Sequence, residues 1–283
     1  MIDLLVPTTA QGLLWAVMAL GVYITYRVLD VADLTVEGSF PLGAAVAASM
    51  LAAGFGPIPS FIGAAVAGML AGVVTAILHT KMKIPALLAG ILTNNYILAK
   101  TTGIDTTFTI IRNMFGLNSA HTTLVVGVLA TVLVAVFMYW FFGTEIGAAI
   151  RATGFNQQMI RAQGVNTDVT IMLGLLISNA LVAISGALVA QSNGFADVGM
   201  GTGTIVIGLA SVIIGEVLFG TRSFKNCIIS VILGSVVYRI VIAAVLQMGM
   251  PPNDLKLFTS ILVAFALAMP LIKSKFGARK VVD

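Results

Sequence analysis

Charge is what this sequence has least of. Only 9% of its 283 residues are Asp, Glu, Lys or Arg, where a soluble domain carries about a quarter. So few charges cannot cover a water-facing surface, and a soluble globular protein is excluded. Cysteine and histidine are nearly absent too, at one and two residues. Lone Cys227 allows no internal disulfide, and with His79 and His121 it makes no metal-ligand spacing. No Gly-x-x-x-x-Gly-Lys-[Ser/Thr] loop occurs, so the chain is expected to bind no ATP or other cofactor itself. No Lys or Arg precedes Arg27; the start lacks the basic region of a signal peptide, and the first helix is read as retained.

What is present is apolar. Hydrophobic residues make up 59% of the chain and its mean hydropathy is +1.06. They fall in blocks at 5–26, 39–53, 58–79, 84–99, 123–142, 169–191, 204–219, 227–247 and 257–272. A helix needs roughly 20 residues to cross a bilayer, and lipid tolerates no unpaired backbone. Alternating barrel patterning is absent. The expected fold is therefore an all-α integral membrane protein with about 8–10 transmembrane helices, some of them broken or re-entrant. Glycine is abundant, at 29 residues, and the spacings Gly63-Ala67-Ala71 and Gly68-Gly72 suit close helix packing.

The cations orient the chain. With the N-terminus outside, one face receives Arg27, Lys81, Lys83, Arg151, Arg161, Arg222, Lys225, Lys273, Lys275, Arg279 and Lys280. The other receives Lys100, Arg112 and Lys256, and Arg239 stays inside a helix. The positive-inside rule then places the C-terminus in the cytoplasm of a bacterial cell, in its inner membrane. These scattered loop cations account for the net charge of +4 without nucleic acid.

An internal echo divides the chain. Asp33-Leu-Thr-Val-Glu-Gly38, running into Phe40 to Gly43, has a counterpart in Asp197-Val-Gly-Met-Gly-Thr-Gly203, running into Ile205 to Gly208. Each starts with Asp, breaks at Gly and leads into a short apolar block after a long helix. By the topology the first break lies near the cytoplasm and the second outside, so the halves are inverted. Inverted repeats with interrupted helices characterise transporters; chance likeness between Gly/Ala-rich helices is the plain alternative. The expected division is a single transmembrane domain over 1–283. It comprises a first repeat at 5–142, a cytoplasmic loop at 143–168, a second repeat at 169–272 and a basic tail at 273–283.

Residues 143–168 form the longest cytoplasmic connection. Two short helices are expected there, turning at Gly154-Phe155-Asn156, with Asn156 as N-cap of the second and Gly164 as its stop. Such a hairpin suits the headgroup layer or a cytoplasmic partner. Its pattern of Gly147, Ala149, Arg151, Ala152, Gly154 and Asn156, then Ala162, Gly164, Val165 and Asn166, resembles the coupling loop of the branched-chain amino acid/ribose permease family of ABC importers. The resemblance extends over nearly the whole chain. It departs in length from sugar-transporting members and in the broken second helix, Asp33 to Ser39, which resembles a branch associated with aromatic amino acids and other small solutes.

The resemblance implies a permease subunit of a binding-protein-dependent importer for a small polar solute, an amino acid by preference. In that family the loop docks on an ATPase. The coupling residues would be Gly147, Arg151, Ala152, Gly154, Asn156, Arg161, Gly164 and Asn166. Implied partners are cytoplasmic ATPase subunits carrying ATP and Mg, an external solute-binding protein, and a second permease subunit, as a homodimer by preference. Docking of the binding protein would fall to Lys100, Asp105 and Arg112, which otherwise belong to a solvated loop.

Polar groups inside the membrane are costly and become candidates for the translocation pathway. They are Glu37, Ser39, Asn94, Asn95, Asp197 and Arg239. Glu37 lines the pathway or bonds exposed backbone, or else sits simply as a carboxylate at a helix N-terminus favoured by its dipole. Asn94 and Asn95 offer amides to a solute or bond between helices. Arg239 needs a carboxylate or carbonyl, with Glu216 and Glu37 nearest by topology, and a structural ion pair is favoured over contact with solute. A stand-alone secondary transporter, coupling an ion or proton through Glu37, Asp197, Glu216 and Arg239, is the main rival. It would not need the hairpin. An intramembrane serine enzyme is set aside, because His79 and His121 fall near opposite faces and no Gly-x-Ser-x-Gly occurs.

Overall fold

In a computed structural model the described residues are 2–82 and 118–249, with Phe108, Phe258, Ile261 and Ala264. The apolar block 84–99, most of the block 257–272, the basic tail, and Asn94, Asn95, Lys100, Asp105 and Arg112 lie outside them. The described residues form helices α1 (Ile2–Tyr23), α2 (Val36–Ala52), α3 (Pro57–Thr80), α4 (Ser119–Phe142), α5 (Glu145–Phe155), α6 (Gln157–Ala162), α7 (Thr167–Asn193), α8 (Thr204–Phe219) and α9 (Phe224–Gln247). Among the described residues six segments are long and apolar enough to cross a membrane: Leu5–Val28, Pro57–Thr80, Ser119–Phe142, Thr167–Asn193, Gly199–Phe219 and Phe224–Gln247. The chain is an all-α, multi-pass integral membrane protein.

Small residues decide how these helices meet. On α3 a Cβ at Gly68 would strike the Asn179 carbonyl, and one at Gly72 the Leu175 carbonyl. That close approach seats α3 on α7, as expected where dispersion replaces the hydrophobic effect. The opposite stripe of α3, Ile58, Ile62, Val66, Leu70, Val74 and Ile77, faces outward. Helix α7 is the centre. It runs antiparallel to α1, with the Ser185 hydroxyl donating to the Leu14 carbonyl (2.8 Å) and Ser178 to the Gly21 carbonyl (2.8 Å). It runs parallel to α2, where Gly186 and Gly43 leave no room for side chains between the backbones.

The two short helices start inside the bundle. Helix α1 ends in a π-helical turn, Ile24–Val28, and the chain reverses through Asp30, the one described non-glycine residue with positive φ, at 54°. It re-enters so that α2 begins beside Asn179, about 18 Å along α7 from Thr167 at 1.5 Å per residue. From the other end of α7 the chain passes a left-handed Gly194 (φ 79°) and a 3-10 turn at Val198–Gly201. It then begins α8, which runs parallel to α1: Gly208 packs on Val22, and Glu216 reaches Arg27. Sequence placed the breaks near the two membrane faces. The contacts bring both starts to the interior, and α2 and α8 leave it in opposite directions.

Candidate functional site

The hairpin at one end of the bundle is built by local capping. Thr144 Oγ1 accepts from the Gly147 N–H (3.3 Å) to start α5, and Asn156 Oδ1 accepts from the Met159 N–H (3.0 Å) to start α6. Gly164, at φ 85°, ends α6, and Asn166 Oδ1 then accepts from the Asp168 N–H (3.0 Å) to start α7. The Asn156 cap and the glycine stop stand where the sequence placed them.

The other motif residues hold the hairpin to the bundle. A Cβ at Gly154 would overlap the Val28 carbonyl of the π-helical turn, and one at Gly147 the backbone of Phe141 and Phe142. Thr153 and Thr170 share a buried hydroxyl hydrogen bond (2.8 Å) between α5 and α7. Arg161 donates to Thr167 Oγ1 (2.6 Å) and pairs with Asp168 (3.3 Å). Arg151 lies over the Phe224 ring at 5.4 Å, and the Ala152 carbonyl accepts from the Asn156 N–H. Motif positions thus shape the hairpin, and Phe155, which is 92% exposed, and Met159 stand out from it beside the exposed Arg151, Asn156 and Arg161. Sequence reasoning passed over Phe155 and Met159, although an aromatic at the tip of a polar turn is a recognisable signal. A cleft of about 450 Å³ opens beside the hairpin, lined among others by Tyr26, Arg27, Asp30, Arg151 and Phe155.

In the interior, polar groups gather where α2 and α8 begin. The Glu37 side chain, in the first turn of α2, accepts from the Gly203 N–H at the start of α8. Nearby, Asn179 Nδ2 donates to Asp33 Oδ2 (2.9 Å) and to the Leu175 carbonyl (3.0 Å), while Ser39 donates to Asn179 Oδ1 (2.6 Å). The Thr35 N–H donates to Asp33 Oδ1 (2.9 Å), and Thr35 and Thr75 share a hydroxyl hydrogen bond (2.7 Å). Asp33, Thr35, Ser39 and Asn179 are all buried. Ser39 therefore binds α7 and does not face an open path, whereas Asp197 is exposed. Asn179, missed by the sequence reading, was detectable as a lone amide midway along an apolar helix.

Arg239 corrects an expectation. Its guanidinium lies over Trp15, 4.1 Å from the ring centroid, and Trp15 packs on Phe40 with the ring centroids 5.0 Å apart and tilted by 32°. Neither anticipated carboxylate reaches it. Glu216 is paired with Arg27 (2.9 Å) at the hairpin end of α8, and Glu37 is engaged with Gly203. Topological neighbours on adjacent helices stand at different depths, and depth decides.

Comparison with known proteins agrees with this architecture. A "Tyrosine transport system permease protein" of Clostridioides difficile (strain R20291) is 37% identical over 271 residues, covering 93% of this chain and 90% of the relative. An uncharacterized protein of Rickettsia prowazekii (strain Madrid E) is 32% identical over 279 residues, covering 94% and 97%. No solved structure matches. Residues 4–268 match the family described as "Branched-chain amino acid transport system / permease component", and the chain belongs to that permease family of ABC transporters.

Proposed function

We propose that this chain is the membrane subunit of a binding-protein-dependent ABC importer for an amino acid, an aromatic one such as tyrosine by preference. The observation that carries the reading is the seat of Gly154 on the Val28 carbonyl. It joins an exposed hairpin directly to the π-helical turn that leads, through Asp33, into α2. A partner gripping Phe155 and Met159 from the cytoplasm would pull on the break itself. A secondary transporter has no use for such a linkage. The relative named as a tyrosine permease supports the solute class.

In this reading ATP and Mg reside on separate ATPase subunits, which close on the hairpins of two permease copies. The hairpin end is cytoplasmic, the N-terminus lies outside, and a loaded binding protein docks on the opposite face, where Lys100, Asp105 and Arg112 are candidates. The halves 5–142 and 169–272 act as inverted repeats that rock about the interior starts of α2 and α8, past Glu37 and Arg239, with Asn94, Asn95 and Asp197 as further pathway candidates.

Reconstitution in vesicles tests this. Labelled L-tyrosine should enter only when the ATPase, ATP and the binding protein are all supplied. Phe155→Asp should abolish uptake and ATPase retention while the permease still inserts. Uptake by the permease alone, driven by an ion gradient, would overturn the reading.

A further inference from the structure

Arg239 is a cation inside the bundle with a donor, Nε, left unsatisfied among the described residues. It stands about 22 Å along α9 from Phe224 at 1.5 Å per residue. Side chains on a helix lean toward its N-terminus, which brings the guanidinium back over Trp15 of the antiparallel α1. The contact with Trp15 supplies a favourable cation–π attraction, which gives the guanidinium N–H groups no hydrogen-bond acceptor. Among the described residues Nε is buried with no hydrogen-bond partner, and no ion pair to Arg239 exists.

Depth gives this group its meaning. Gly208 of α8 packs on Val22 of α1, and the two helices run in the same direction. Thr204, one turn earlier, therefore lies level with Met18, and Trp15 stands less than a turn beyond. The Arg239–Trp15–Phe40 cluster thus sits just past the interior start of α8, on the side away from the hairpin. An unpaired arginine at that depth is costly, and its rigid fork matches a carboxylate through two parallel hydrogen bonds. We infer that Arg239, held over Trp15, binds the carboxylate of the transported solute as it passes the interior. The inference rests on the amino-acid reading above and assigns one end of the solute to one side chain.

Trp15 reports on its own site, because the sequence has two tryptophans and the other, Trp140, is 67% exposed on α4. The test uses the assembled permease–ATPase complex in nanodiscs, its permease carrying Trp140→Phe and labelled with 7-azatryptophan, whose red-shifted absorption lets Trp15 be excited apart from tyrosine and from the tryptophans of the other proteins. Titration with L-tyrosine should change Trp15 emission saturably, and L-tyrosinamide should act at least tenfold more weakly. Arg239→Gln should erase that preference, since losing a charge-assisted pair corresponds to about tenfold or more, and Arg239→Lys should keep part of it. Should Arg239→Gln fail to assemble, the acid-to-amide comparison with Arg239 intact still decides.

Equal response to acid and amide, or an unchanged preference in Arg239→Gln, overturns the inference while amino-acid uptake by the parent complex stands. A parent complex that imports no amino acid, yet answers acetate through Trp15 in an Arg239-dependent way, overturns the amino-acid reading instead and keeps the carboxylate site.

Discussion

The backbone N–H of Gly203 donates to Oε1 of Glu37 at 3.1 Å. One carboxylate thereby serves two helix beginnings, the first turn of α2 and the N-terminus of α8, where amides lack helical acceptors and the dipoles favour negative charge. Because the two helices leave the interior in opposite directions, this bond ties together the two elements that would have to move apart for a path to open.

Glu37→Ala should loosen that tie. A hydrogen bond to a charged group contributes about 1.5–3 kcal/mol, so the thermal midpoint in detergent should fall measurably. Glu37→Gln should recover part of the loss, since its amide oxygen still accepts from Gly203. An alanine variant that melts with the parent protein would show that the bond is idle.

The interior amide makes a second prediction. Asn179→Leu removes the donor to Asp33 and the acceptor from Ser39 in one step, leaving two buried polar groups without that partner. Each costs about 1–3 kcal/mol, so expression and thermal midpoint should both drop. Ser39→Ala, which also leaves the Asn179 oxygen without its donor but strands no carboxylate, should be milder. Equal losses in the two variants would count against the Asp33–Asn179 bond as the centre of the network.

These residues show what the sequence could and could not disclose. Helices α1 to α4 and α7 to α9 were legible because apolar block length and breakers are local signals. So was the hairpin, whose cap at Asn156 and stop at Gly164 are written within a few residues of where they act. Asn179 was not found, since its partners Asp33 and Ser39 are more than 100 positions away in the chain. Arg239 was recognised as anomalous, but its partner was misassigned: pairing depends on depth, which helix order does not fix. Gly154 was read as part of a motif, and its steric reason, the Val28 carbonyl, needed the fold.

That reason separates two glycines of the hairpin. Gly154→Ala collides with the backbone of α1 in an ordinary helical conformation, so the hairpin must shift. Gly164→Ala meets no neighbour, and its difficulty is a φ of 85° alone, a strain of about 1–2 kcal/mol. Retention of the partner ATPase during purification should therefore collapse in Gly154→Ala and weaken modestly in Gly164→Ala. The reverse order would mean that hairpin closure, not its seat on α1, governs docking.

The Arg27–Glu216 pair should respond asymmetrically. Its side chains are 55% and 13% exposed, respectively. Glu216→Gln leaves a guanidinium that can extend into water or headgroups at the end of the bundle, so its cost should be small, within about 1 kcal/mol. Arg27→Ala leaves a mostly enclosed carboxylate without its counter-ion, which is the worse outcome for a charge removed from water. The single variants should thus rank Arg27→Ala below Glu216→Gln in thermal midpoint. The double variant Arg27→Ala/Glu216→Gln should regain most of what Arg27→Ala loses, because the stranded charge is gone. A double variant no more stable than Arg27→Ala would mean that Arg27 acts through packing against the π-helical turn and not through its charge.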